Sequence, residues 1–500
     1  MIVSLTSCIL VIGRFVRSQD RLREPPCVPP SIPIPHIGHL IGIMKRRMQY
    51  FSDIGVTLQE PIAKISILGT NFYIIGSVKI MPFIERQPRV LSSRSWFAKF
   101  VCTLVGCSKR SLGNFEANLG ATTEGDSMLL EGVRTTKRIL NSKTGADMNY
   151  DAARIVSERF KTMETPNPGV ELNLFEWVKH EILYVLSEST YGPENPFWDS
   201  EVEAAFWYVT QHTLALCVTS FLPKCIVSKL FQGMRGREFI VKALDEYLRS
   251  GHLVRGSPIV NAHYPIFKAK LDDRDVARFE CASALGSFAN TVPTSFWTIF
   301  HIFADANLLT DVRNQVSAIT TTVTSEDGRS IHRIDLRRLR TATILFSAVE
   351  EVSRYRATGI GVRLVTENIV VGDGDNRYYL KKGGWLIIAN QALHSDKNVW
   401  GKDADKFVAS RFNEKTPHLS FRGFGNGASA CCGKNLALYH IASFMAIMVM
   451  RYDISPVEGV WKEPEQDGRD TAAQVAGPVH KPMVRMTLRE DVKATWDFSF

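Results

Sequence analysis

Apolar positions along the chain follow two rhythms, and these divide it into a few elements. From Ile65 to Ile75 apolar and polar residues alternate around Gly69-Thr70-Asn71, the pattern of a β-hairpin with one apolar side. Leu174 to Ser189 instead carries apolar residues at helical spacing and stops before Tyr191-Gly192-Pro193. Arg278 to Leu309 is a largely apolar run too extended for a strand, which predicts a long helix. A further helix over about Leu336 to Arg356 leads into strand-like pieces at Ile369–Val371, Tyr378–Leu380 and Leu386–Ala389, and a helical segment from Lys434 to Met450 follows. The fold class this predicts is mainly α with a minor β region.

The N-terminus is patterned differently. Met1 to Gly13 is mostly apolar, and Arg14, Arg17, Arg21 and Arg23 follow it, the charge order of a cytoplasmic flank. Residues 1–18 are therefore expected to be a membrane anchor or an interfacial segment. The run is shorter than the roughly 20 residues that span a bilayer, and Ser4, Thr6, Ser7 and Cys8 interrupt it. No basic region precedes it and no small-residue cleavage site closes it, so a cleaved signal peptide fits less well. Residues 19–37 read as a Pro-rich hinge, with Pro25, Pro26, Pro29, Pro30, Pro33 and Pro35 holding the backbone extended. From residue 38 to residue 500 there is no second linker or internal repeat, which predicts one domain.

Composition narrows the class only slightly. The 45% of apolar residues is ordinary for a folded chain with a sizeable core. A net charge of +9 suits a nucleic-acid binder, a membrane-facing surface or a face that docks an acidic protein. The basic residues form no concentrated run, so nucleic acid is not expected as a partner. Nine cysteines, an odd number without repeated spacing, argue against a secreted disulfide framework and for a reducing, cytosol-facing compartment.

The chemistry concentrates in Phe424-Gly425-Asn426-Gly427-Ala428-Ser429-Ala430-Cys431-Cys432-Gly433. Its glycines permit tight turns and close approach to a flat ligand, and the helix from Lys434 places Cys431 at a helix N-terminus. Free backbone N–H groups and the helix dipole there favour a thiolate, the form that ligates iron.

With Phe424, Gly427, Cys431, Gly433 and Ala437 in the register Phe-x-x-Gly-x-x-x-Cys-x-Gly followed by Ala, the sequence resembles the cytochrome P450 superfamily from about Pro25 to Leu488. Tyr191-Gly192-Pro193-Glu194-Asn195-Pro196 resembles filamentous-fungal members. The resemblance implies the cytochrome P450 fold, a haem-binding catalytic domain over 38–500, and haem b ligated through the metal ligand Cys431. Only Cys431 has Gly two positions on; a ligand at Cys432 would put Gly425, Ala428 and Lys434 out of register. A zinc site from His418, Cys431, Cys432 and His440 matches no common spacing. Glu-x-x-Arg, a second family motif, occurs at Glu131/Arg134, Glu246/Arg249, Glu326/Arg329 and Glu351/Arg354. Only the last stands in an apolar helix, with Arg411-Phe412 after it, and the resemblance makes Arg411 its third, structural partner. Arg363 and His394 resemble residues that contact haem propionates, although a surface role fits each equally well. The basic residue common two positions before the cysteine is Ser429 here, and the family's Trp-x-x-x-Arg has no clean match, leaving Arg134 or Arg138 as substitutes.

The long helix departs from the family. Registering on Trp297 places Asn290 where most relatives have Thr and Ala289 where they have an acid. The run Ala289-Asn290-Thr291 with Pro293 resembles the branch of sterol hydroxylases and prostacyclin synthase. Pro293 lacks an N–H, so a kink is expected, and the freed Ala289 carbonyl with the Asn290 amide would bind water or oxygen. The candidate catalytic positions are Ala289, Asn290 and Thr291; the alternative is a kink used only for packing. Three functions follow from the resemblance. One is a monooxygenase fed with electrons from NADPH through NADPH-cytochrome P450 reductase. The second is an oxygen-independent isomerase or dehydratase acting on an oxygenated substrate, and the third a haem protein without turnover. Leu285, Phe288 and Val292 suggest a hydrophobic small molecule, with Val475-Ala476-Gly477-Pro478 as a late loop over it. A fungal terpenoid, polyketide or meroterpenoid is the expected substrate class. The endoplasmic reticulum membrane, with the catalytic domain facing the cytosol, is the expected location.

Overall fold

The computed structural model describes residues 23–34, 37–119, 127–163, 169–213, 216–217, 231–324, 326, 328, 330–413, 419–468, 473–489 and 495–499. The anchor segment 1–18 lies outside the described residues, and among those described no helix is long and apolar enough to cross a membrane. The described part of the Pro-rich hinge is docked on the domain: Val28 N donates to Lys64 O at 2.9 Å and Lys64 N to Pro26 O at 2.8 Å.

The alternating segment forms β1 (Ile62–Ile67) and β2 (Thr70–Ile75), paired antiparallel with Ile67 opposite Thr70. That register leaves only Leu68 and Gly69 for the turn, one residue earlier than the sequence pattern suggests. Both have positive φ, 49° and 81°, as a two-residue hairpin turn that follows strand twist requires. Thr70 and Asn71 are thereby strand residues.

A short helix, α1 (Met81–Glu85), and a two-residue strand, β3 (Leu91–Ser92), follow. The helical body is built from α2 (Leu174–Tyr191), α3 (Asp273–Ala304), α4 (Ala306–Ser317) and α5 (Thr343–Tyr355). The run predicted as one helix to Leu309 is two helices. Asp305 leaves helical geometry and its carboxylate accepts from Asn307 N and Leu308 N, capping α4. At the other end Asp272 caps α3 through Asp275 N. The helix continues without a break through Pro293.

After α5 come β4 (Ile360–Val365), β5 (Ile369–Val371), β6 (Tyr378–Leu380), β7 (Trp385–Ala389), α6 (Asn390–His394) and α7 (Lys434–Arg451). β5 and β6 form a separate antiparallel pair, whereas β4 and β7 join the hairpin in a sheet ordered β1-β2-β7-β4-β3. Strand alternation gives this sheet two apolar faces. Tyr73, Ile75, Leu386 and Ile388 pack on one side, and Ile74, Ile65, Ile387 and Ala389 on the other. The largest core joins α2, α3, α5 and α7 through residues such as Leu183, Phe288, Val292, Phe296, Val349 and Phe444. α3 is buried on every side over its second half, which explains its apolar run without a polar face.

Candidate active site

The segment before α7 is a tight loop. Cys431 N donates to Phe424 O at 2.8 Å, and Ala430 N and Ser429 N turn back to Gly427 O and Asn426 O. Gly425 and Gly427 have φ of 66° and 55°. A Cβ on Gly425 would stand 2.3 Å from Ser429 O, and one on Gly427 would meet the Glu85 carboxylate at 2.4 Å. Gly433 is the N-cap of α7, and a Cβ there would lie 3.9 Å from Cys431 Sγ. Burial and then Cys432 push the Cys431 thiol up to about 11, while the backbone N–H groups of Gly433 and Lys434 and the Lys434 charge pull it down. The helix start thus supplies the expected donors, but desolvation outweighs them. Cys431 and Cys432 both reach the surface, and the Cys432 thiol is likewise raised, by burial first.

On α5, Glu351 and Arg354 are fully buried and joined by two bonds of 2.7 Å each. Arg354 also donates to His394 O, Ala404 O and Lys406 O, and Glu351 Oε1 accepts from Val408 N and Arg411 Nε. The structure therefore brings Glu351, Arg354 and Arg411 into one network that ties α5 to the chain before the cysteine loop. The other pairs differ. Glu131 and Arg134 are 4.0 Å apart and part-exposed, with Arg138 at 3.9 Å from the same carboxylate. Glu246 pairs with Lys242, Arg249 with Asp245, and Arg329 lies outside the described residues.

A family model for cytochrome P450 matches residues 260–480, which span α3, the Glu351/Arg354 helix and the cysteine loop. The chain has the cytochrome P450 fold. It is similar to the cytochrome P450 monooxygenase nodJ of Hypoxylon pulicicidum, 28% identical over 519 positions covering 100% of this chain and 96% of that one. A cytochrome P450 monooxygenase of Gibberella zeae is 24% identical over 92% of this chain and 87% of its own. The cholesterol 7-alpha-monooxygenase of Cricetulus griseus is 23% identical over 42% of this chain and 44% of its own. The protein is an oxidoreductase of the P450 type, and that fold implies a haem iron ligated by a cysteine thiolate.

The residues around the loop of this P450 fold suit such a group. Arg363 on β4 and Arg422 are both buried and share one carboxylate oxygen, Glu85 Oε1, at 2.7 and 2.9 Å. Two guanidinium groups on one carboxylate leave a net positive charge beside Gly427. Among the described residues Arg422 Nε and Glu85 Oε2 are buried without a partner, so the Arg422 donor is available to an anionic ligand. Neither Glu85 nor Arg422 stands out in the sequence, because Glu85 lies 278 residues from Arg363 and no spacing links them.

His394 corrects one expectation. It is buried on α6, its Nδ1 pairs with Arg354 O at 3.0 Å, and its Nε2 accepts from Arg422 N at 2.8 Å. Burial, then the Arg354 charge, lowers it to about 3, so the ring is neutral. Both nitrogens are committed, which makes His394 a brace between α5 and the cysteine loop rather than a free propionate donor. Ser429 spends its hydroxyl on Asn426 O. For the zinc alternative, His418 lies outside the described residues and His440 Nε2 faces Ser189 Oγ at 3.1 Å. Among the described residues no group of three metal-ligating side chains forms.

On α3 the three candidate catalytic positions separate. Ala289 is fully buried, and the Thr291 hydroxyl donates back to Ser287 O at 2.9 Å. Asn290 Oδ1 accepts the backbone N–H of Gln474 at 2.7 Å, and its Nδ2 makes a long 3.4 Å contact with Gly286 O. The acceptor half of the Asn290 amide, expected to hold water, is thus used by the late loop. Gln474 is a site residue that no motif in the sequence marks.

Proposed function

We propose that the protein is a haem-thiolate monooxygenase that inserts one oxygen atom from dioxygen into a hydrophobic small molecule in fungal secondary metabolism. The observation that carries this is the position of Cys431, held by its own backbone N–H in a glycine loop at the N-terminus of α7, with the Arg363/Arg422 pair beside it. Cys431 would ligate the iron, Phe424, Gly427 and Gly433 would shape the loop, and Arg363 and Arg422 would face the propionates. When bound, thiolate-ligated haem supplies oxygen activation by pushing electron density toward the O–O bond. The chain's own part is to orient the haem and to hold the Glu351/Arg354/Arg411 network behind the loop; Leu285, Phe288 and Val292, which the sequence suggests for the substrate, instead lie in the helical core, with Phe288 against Tyr191, Phe197 and Phe206. Electrons would come from NADPH through NADPH-cytochrome P450 reductase at the endoplasmic reticulum membrane, with residues 1–18 as the attachment. The basic balance of the chain, +9, suits an acidic reductase and an anionic bilayer surface. The name nodJ suggests a secondary-metabolite role, for which a terpenoid, polyketide or meroterpenoid would be the substrate, and the likeness to a cholesterol 7-alpha-monooxygenase over 42% of the chain is in keeping with a sterol-hydroxylase reading of α3.

The test is the spectrum of the reduced protein with carbon monoxide. It should show the thiolate band of the family, Cys431→Ser should abolish it and Cys432→Ser should keep it. The reverse result overturns the register of the loop.

One observation favours a second reading. Ala289 offers no acid and the Thr291 hydroxyl is spent on its own helix, so α3 lacks the usual side-chain path for delivering protons to oxygen. An oxygen-independent isomerase or dehydratase needs no such path. Labelled dioxygen separates the two: product carrying the label supports the monooxygenase, and unlabelled product formed at full rate under nitrogen supports the alternative.

A further inference from the structure

Along α3 the hydroxyl side chains turn back on their own helix. Ser283, Thr291, Thr294, Ser295 and Thr298 donate to the carbonyls of Phe279, Ser287, Asn290, Thr291 and Thr294, at 2.8 to 3.2 Å. Each pair is four residues apart, the reach of a short hydroxyl side chain in a helix. Asn290 behaves differently. Its longer side chain carries a carbonyl oxygen away from the helix and receives Gln474 N at 2.7 Å.

Gln474 is a junction. Its carbonyl accepts Thr358 N and Gly359 N at 2.9 and 3.1 Å, just after α5. Its side chain accepts from Asn390 Nδ2 at 2.7 Å, at the start of α6, and donates to Ile360 O at 3.3 Å. The fit is close, since a Cβ on Gly359 would lie 2.6 Å from Gln474 Oε1. Two residues on, Ala476 O accepts from Trp297 Nε1 at 2.9 Å. Asn290 and Trp297 are seven residues apart, two turns on one face of α3. The loop that the sequence places over the substrate is therefore pinned to α3 at two points, on either side of Pro293.

We infer that Asn290 is a positioning residue that latches the 473–478 loop to α3, and that this latch sets the shape of the substrate cleft. The inference rests on the P450-type reading of the cleft. A Thr at 290 has one fewer bond of reach, and its hydroxyl would turn to Gly286 O as its neighbours do, releasing Gln474 N. An Asp would keep an acceptor oxygen at the same distance.

The experiment compares wild type, Asn290→Thr and Asn290→Asp in the haem-loaded full chain by two readouts. The first is hydrogen exchange in the peptide containing Gln474. Asn290→Thr should raise it about tenfold, the equivalent of about 1.4 kcal/mol. Asn290→Asp should stay within about threefold of wild type, less than one hydrogen bond. The second is spectral titration with imidazole, which needs only the iron, and with a bulky phenyl-substituted imidazole, which also needs the cleft. The ratio of the two dissociation constants should change at least about fivefold in Asn290→Thr, as for one lost hydrogen bond, and return toward wild type in Asn290→Asp. Unchanged exchange in Asn290→Thr overturns the latch. Faster exchange with a constant ratio overturns its role in shaping the cleft. Imidazole that shifts no spectrum even in wild type counts against the haem reading instead, while exchange still reports on the latch.

Discussion

Replacing Arg354 with Ala tests whether the α5 network holds the site together. The side chain makes five bonds, two to Glu351 at 2.7 Å, two from Nη1 to His394 O and Ala404 O at 2.7 Å, and one to Lys406 O at 3.0 Å. Without it Glu351 Oε1 keeps Val408 N and Arg411 Nε, but Oε2 loses its partner inside a site with no solvent exposure. Three carbonyls lose a donor as well. Breaking a buried pair in this way costs about 3 to 5 kcal/mol, a large share of the roughly 5 to 15 kcal/mol that a folded domain has in total. The control is Arg249→Ala, which removes a bond to Asp245 from a side chain that is 59% exposed. Such a surface pair is worth about 0 to 1 kcal/mol. Urea unfolding followed by tryptophan fluorescence, together with the haem content of the purified protein, reads the difference. Arg354→Ala should unfold at much lower urea and retain little haem, and Arg249→Ala should match wild type. Arg354→Lys should not rescue, because a single ammonium cannot serve a carboxylate and three carbonyls at once. Equal midpoints for Arg354→Ala and Arg249→Ala would refute the reasoning.

Glu280 on α3 is buried with Tyr191 OH at 2.9 Å as its partner, and burial raises it to about 7 despite that bond. Its folded pKa exceeds its unfolded one, so its contribution is present below about pH 4.5 and lost as pH rises through 7. Glu280→Gln should therefore gain stability relative to wild type as pH rises from 4.5 toward 7, by roughly 1.4 kcal/mol for each pH step of one; a flat difference in unfolding midpoints across that range counts against it. Gly425→Ala should lower haem content and the carbon monoxide signal sharply, because its Cβ would stand 2.3 Å from Ser429 O at φ 66°, whereas Gly433→Ala, 3.9 Å from the nearest atom, should be milder. The opposite order in the two spectra would show that the loop conformation is not what these glycines protect.

Much of this protein is written in local pattern. The cysteine loop is legible in the chain as glycines at fixed offsets from Cys431: both Gly425 and Gly427 have positive φ, and a Cβ would meet the Ser429 backbone at the first and the Glu85 side chain at the second. The helix from 174 follows from apolar spacing and the long one from an apolar run beginning at Arg278, five residues inside its observed start at Asp273, and the buried Glu-x-x-Arg was separable from its three other copies because its helix is apolar. Boundaries were less legible: the end of α3 depends on a single capping carboxylate, Asp305, inside a run that otherwise looks continuous. What the tertiary structure alone decided is which side chains are already taken. His394 reads as a free donor in sequence, but Arg422 N and Arg354 O occupy both its nitrogens. Asn290 reads as a water ligand, but Gln474, 184 residues away, claims its oxygen. Glu85 meets Arg363 and Arg422 only because α1 and the sheet are packed against the cysteine loop. A residue's identity determines which groups it can offer, whereas the partners that spend them come from distant segments through packing, and no local spacing encodes that pairing.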